Sequence, residues 1–123
     1  MPEALVRNRT NGEILARRVV RCDSFLSRGR GLMFRRPLAE DEAYLFVLDR
    51  PSVIDAAIHM FFVSFPIAVI WLDEEGRVVH TAYAKPWRPY YGTPRPAKYF
   101  LEGAPELLAK VDRGDIIEFP AGS

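Results

Sequence analysis

Soft metal ligands are scarce in this chain, which has one cysteine, Cys22, and two histidines, His59 and His80. A lone cysteine cannot close an internal disulfide, and three such residues at unrelated spacings do not make a structural zinc site. We therefore expect no metal and no cofactor. Net charge is also small, only +1, so no strongly acidic or basic partner is demanded by the whole chain. Long apolar runs are missing as well. The longest covers residues 56–72 and is interrupted by His59, Ser64 and Pro66, and it falls short of the roughly 20 residues needed to span a bilayer. We read it as core and expect no membrane partner. Residues 1–9 show neither a signal-type apolar stretch nor a small-residue cleavage pattern, so the expected setting is the cytoplasm.

The 123 residues are 49% hydrophobic and 27% charged, the composition of an ordinary folded domain. A chain of this length buries roughly two thirds of its unfolded surface. It contains no repeat, low-complexity tract or linker, and residues 1–123 are read as a single domain. Charge is unevenly spread. Residues 5–36 hold nine arginines against Glu13 and Asp23, a net +7, which is read either as a solvated, outward-pointing hairpin or as an anion-attracting face.

Turn residues divide the remainder. Asn11-Gly12 between two apolar-polar runs signals a hairpin, by the type I′ logic of positive φ at both central positions. Ser24 is placed to cap a short helix reaching about Arg30. Ala43-Tyr44-Leu45-Phe46-Val47-Leu48 reads as a buried strand, and residues 58–63, 67–72 and 77–83 as three more, the last two joined by Asp73-Glu74-Glu75-Gly76. Residues 85–96 carry four prolines with Trp87, Tyr90 and Tyr91 and must form a loop. A strand at 97–102, a short helix opened by Pro105 and a closing strand at 116–119 follow. The residues of these strands expected to be mostly buried are Phe46, Ile58, Phe62, Val69, Trp71, Tyr99 and Leu101.

Four blocks carry a resemblance to a known family. They are Gly31-Leu32-Met33-Phe34-Arg35 with the strand Tyr44-Leu45-Phe46-Val47; Ile58-His59-Met60-Phe61-Phe62-Val63-Ser64-Phe65-Pro66-Ile67 with Val69-Ile70-Trp71-Leu72-Asp73; Lys85-Pro86-Trp87-Arg88; and Ala97-Lys98-Tyr99-Phe100-Leu101-Glu102 with Gly114-Asp115. In order and spacing the chain resembles the domain of unknown function 192 family over nearly its whole length. The resemblance implies an α+β fold, mostly antiparallel β, forming a small partly closed barrel with one or two short helices, and it implies no activity. Similar sequences place Asp after the Phe-Pro-Ile step, where this chain has Ala68, and a polar or basic residue at the position of Ser64.

No residue pattern here specifies a reaction. His59 is the natural proton carrier near the apolar centre, but Asp55, Asp73 and His80 stand at no diagnostic spacing from it, and a histidine bonded to backbone is the plainer reading. His80 reads as a surface residue. No nucleophile elbow surrounds Ser24, Ser27, Ser52 or Ser64, and Gly29-Arg30-Gly31 lacks the spacing of a phosphate cradle. Trp87, Tyr90 and Tyr91 are read either as a stacking platform or as a lid with Trp87 plugging the barrel. The leading reading is a non-catalytic ligand-binding or interaction module. Its site would unite Met33, Arg35, His59, Trp87 and Arg88, with Trp87 packed on Met33 and an anionic small molecule or a protein as partner. The alternatives are a small enzyme, such as a hydrolase, using His59 in a cleft lined by Trp87 and Arg88, or a weak nucleic-acid binder through the N-terminal arginines. Nucleic acid is not the expected partner, since no RNA-recognition signature is present.

Overall fold

The computed structural model describes residues 5–22 and 37–119. The apolar run Ile67–Leu72 is a strand, β5, in which all six side chains are buried. Successive strand side chains point to opposite faces, so β5 feeds two cores. Ile67, Val69 and Trp71 enter the first, and Ala68, Ile70 and Leu72 the second. Each fully buried aliphatic side chain contributes roughly 1.5–3 kcal/mol, and a strand buried on both faces needs a layer on each side of it.

Among the described residues, eight strands supply those layers. In chain order they are β1 (Val6–Asn8), β2 (Ile14–Ala16), β3 (Arg18–Cys22), β4 (Glu42–Ser52), β5, β6 (Val78–Ala84), β7 (Ala97–Gly103) and β8 (Ile117–Glu118), with a 3-10 helix at Pro105–Lys110 between the last two. Five make one sheet in the order β3-β4-β7-β5-β6, and three make a second in the order β2-β1-β8. All pairings are antiparallel except β3 with β4. The small sheet and the 3-10 helix, through Val6, Leu15, Leu107 and Ile117, cover the second face. The connections before β5 and after β6 cover the first, through Ala56, Met60, Val63, Phe65 and Tyr91. Phe46 and Phe100 stack there at 4.7 Å, and the buried Trp71 donates its indole N–H to the carbonyl of Ala56 at 2.7 Å.

The structure is thus built mostly of strands in two sheets, and no closed barrel is found among the described residues. The Asn11-Gly12 hairpin joins β1 to β2 as expected, but its loop is longer than a type I′ turn. Gly12 donates to the carbonyl of Asn8 at 2.8 Å, Asn8 donates to Glu13 at 2.8 Å, and only Gly12 of the pair has positive φ. Asn11 works through its side chain instead, accepting from Glu13 N–H and donating to the carbonyl of Lys110. The expected helix from Ser24 lies outside the described residues.

Residues 58–63 form no strand and make a single bridge, Ile58 with Tyr91. In consequence Ile58 is only half-buried and Phe62 is exposed. Tyr99 is half-buried, while Phe46, Val69, Trp71 and Leu101 are buried as expected. The strand read at 43–48 continues to Ser52, past Pro51, because its pairing with β7 breaks between Val47 and Ser52 and the missing proline N–H goes unmissed there. His80 is half-buried rather than superficial, its ring 5.4 Å from that of Trp71. Burial, and behind it the charge of Arg113, lowers its pKa.

The β5–β6 turn also holds the two sheets together. Gly76 has φ of 83° and accepts from Ile117 N–H at 2.8 Å, and a Cβ there would stand 2.7 Å from the Ile117 carbonyl oxygen. Gly12 has φ of 82° with nothing within 4 Å of the same position. Gly76→Ala should therefore cost about 3 kcal/mol, from left-handed backbone plus collision, and Gly12→Ala about 1 kcal/mol from backbone alone. Denaturant unfolding of the two variants checks this, and equal losses would refute the assigned collision.

Candidate functional site

Residues 58–63 and 85–91 come together outside the regular sheets. Ile58 and Tyr91 exchange two backbone hydrogen bonds, at 2.8 and 2.9 Å. Met60 donates to the carbonyl of Arg88 at 2.8 Å and accepts from Trp87 N–H at 2.9 Å, while its own side chain is buried in the first core. The hydroxyl of Tyr91 accepts from Lys85 N–H at 2.8 Å. Proline keeps this segment out of a ladder, so a few cross-loop bonds and the Met60 side chain fix it instead.

That knot holds two aromatic residues in a backbone conformation rare for bulky side chains. Phe62 has φ of 62° and Trp87 of 65°, each costing roughly 1–2 kcal/mol relative to ordinary backbone. Their rings meet edge to face with centroids 5.2 Å apart, although they are 46% and 53% exposed. Such strain persists only where surroundings over-determine it, and it concentrates at functional positions. Lys85 and Arg88 are exposed beside them, and neither has an ion pair among the described residues.

Three expected site residues, His59, Trp87 and Arg88, are brought onto this one loop pair. Met33 and Arg35 lie outside the described residues, as does the expected packing of Trp87 on Met33. Trp87 is no plug, being half exposed, and its described ring partner is Phe62. His59 is exposed rather than central; its Nδ1 accepts from Phe61 N–H at 3.2 Å and its ring lies 5.2 Å from that of Phe61. Failure of 58–63 to become a strand is what turns His59 outward. No group of three His, Cys, Asp or Glu side chains able to hold a metal occurs among the described residues. Ala68 is fully buried in the second core opposite Gly103, so a carboxylate at that position would face away from the loops.

One further residue was missed in the sequence. Glu102, on β7, is 6% exposed. Its cross-strand partners are Tyr44 and Val69, both of the first core, which places its carboxyl on the loop-covered face. It has neither hydrogen bond nor ion pair among the described residues. Desolvation pushes its pKa up to about 8, so at neutral pH the group is mostly a neutral acid able to donate as well as accept. The signal was period two: Glu102 follows Phe100 by two residues and must share its face.

The linkage has a definite sign. Below the unfolded value near 4.5 the acid is neutral in both states and stability is undiminished; stability falls as pH rises above it, and the loss is complete beyond about 8. At its steepest the slope is about 1.4 kcal/mol per pH unit. Glu102→Gln should match the parent near pH 4, exceed it clearly at pH 9, and leave the two unfolding curves diverging between. Curves that stay parallel would show that the carboxyl ionises without cost.

Comparison with known proteins agrees with this architecture. A UPF0127 protein of Thermococcus kodakarensis is 40% identical over 94% of this chain and 73% of its own length. A UPF0127 protein of Pyrococcus furiosus is 37% identical over 91% of this chain and 95% of its own. The crystal structure of a protein of unknown function from Novosphingobium aromaticivorans superposes with a TM-score of 0.81 at 23% identity, covering 94% of this chain and 83% of that one; at that identity the likeness concerns the fold. The model of the DUF192 family, described as Uncharacterized ACR, matches residues 6–119, and the chain belongs to that family.

Proposed function

We propose that this chain is a small non-catalytic recognition domain whose binding surface is the loop pair carrying Phe62 and Trp87, and that its partner is an anionic small molecule or protein. The observation that carries this reading is the strained, edge-to-face aromatic pair, held half exposed beside Lys85 and Arg88. Aromatic faces offer contact area with few rotatable bonds, and a guanidinium offers paired donors to a carboxylate or phosphate. Met33, Arg35 and His59 belong to the proposed site on the sequence reading. A cytoplasmic setting belongs to the same proposal, and no helix among the described residues is long and apolar enough to cross a membrane.

Glu102 favours a second, catalytic reading. A carboxyl with a pKa pushed up to about 8 is suited to act as a general acid near neutrality, whereas His59 has only a backbone N–H to orient it. An enzyme of this kind, a hydrolase for example, would lose activity on Glu102→Gln and keep it on His59→Ala.

Titration with inorganic phosphate and with poly-glutamate, followed by amide chemical shifts, tests the recognition reading. Shifts should concentrate on residues 58–62 and 85–91 and weaken with salt. Arg88→Glu and Trp87→Ala should each reduce affinity at least about tenfold, a loss of roughly 1.4 kcal/mol. Because Trp87 is half exposed and alanine keeps the same backbone strain, the thermal midpoint of the Trp87→Ala variant should stay within a few degrees of the parent. Shifts spread evenly over the sheets, or absent altogether, would count against the assignment.

A further inference from the structure

The exposed aromatics of the loop pair are not confined to the strained couple. Phe61 is 43% exposed and Tyr90 64%, so with Phe62 and Trp87 four large rings from the two paired segments each keep a substantial exposed area. Exposed large apolar side chains carried on two hydrogen-bonded segments make that loop pair a candidate interaction face. Its charge is one-sided. Residues 85–96 contain Lys85, Arg88 and Arg95 and no acidic residue, while the facing segment, residues 58–63, contributes only His59 as an ionisable side chain.

Resting on the recognition reading above, we propose that the anionic small molecule recognised by this face is the acidic headgroup of a lipid, presented at the surface of a bilayer. Three features fit a bilayer in particular. Trp and Tyr rings, apolar in body with a polar handle, settle at the headgroup level, and Phe61 and Phe62 suit the acyl boundary beneath it. Lys85 and Arg88 flank the rings, where an acidic headgroup would meet them while the rings insert. Finally, the tip is already ordered: Met60 ties Trp87 and Arg88 together through backbone hydrogen bonds, so docking orders little that is not already fixed. The lack of a spanning segment does not bear on this, because the domain would lie on the membrane rather than cross it. Sequence reading could not reach the inference, since it took Phe62 for core and left Trp87 open between a stacking platform and a plug.

The test uses the full chain with sedimentable vesicles of phosphatidylcholine alone, vesicles of phosphatidylcholine with phosphatidylglycerol, soluble glycerol phosphate and soluble poly-glutamate. Trp71 is fully buried, so a change in tryptophan emission reports on Trp87. The expected result is co-sedimentation with the phosphatidylglycerol vesicles, at least tenfold tighter than with phosphatidylcholine alone, and a blue shift of Trp87 emission. Trp87→Ser and the double variant Lys85→Glu, Arg88→Glu should each lose at least tenfold in vesicle binding while keeping the parent's circular dichroism and cooperative melting. Binding of poly-glutamate or glycerol phosphate at the loops without vesicle binding would overturn the bilayer proposal and leave the anionic-partner reading standing. Binding to none of the four would overturn both. Vesicle binding unchanged in the two variants would also overturn the proposal.

Discussion

Burial of β5 on both faces is the constraint from which the remaining architecture follows. A strand reading Ile-Ala-Val-Ile-Trp-Leu has no polar side to give to water, and each of its side chains is buried. One layer is made from the two terminal hairpin strands, the closing strand and the 3-10 helix. The other is made, among the described residues, from irregular connections. The asymmetry matters for function: the second face is covered by hydrogen-bonded sheet, the first by loops. Loops positioned by a rigid scaffold are where binding residues concentrate.

The loop layer is secured economically. Met60 contributes its side chain to the core, its N–H to Arg88 and its carbonyl to Trp87 and Val63. Trp71 contributes its ring to the core and its N–H to Ala56. These contacts over-determine the segment, and that is why Phe62 and Trp87 can be kept at positive φ. The aromatic surface is therefore a consequence of how the first core is closed. The same closure buries Glu102 beside Tyr44, with no ion pair among the described residues, and makes one carboxyl of the sheet a pH-dependent liability that a protein under selection for stability alone would replace.

Several elements were legible because their physics is local. The apolar run of β5, the turn through Gly76, the proline-rich loop, the Pro105 helix start and the strand at 97–103 each follow from side-chain period or backbone restriction over a few residues, and the four sequence blocks identified the family. Residues 58–63 misled for the same reason. Their composition is that of a strand, but a strand forms only with a partner, and this segment makes no more than the single bridge of Ile58 with Tyr91. Denied a ladder, the segment turned outward, carrying His59 into solvent and Phe62 onto Trp87.

What the sequence by itself determined was membership in the family and the predominance of strands, because patterns of alternation and turn residues act within the chain's immediate neighbourhood. Only the tertiary structure decided which aromatic residues remain in water and which acid is stripped of it. Exposure and desolvation are properties of what packs above a residue, and for Phe62, Trp87 and Glu102 that neighbour comes from a different part of the chain.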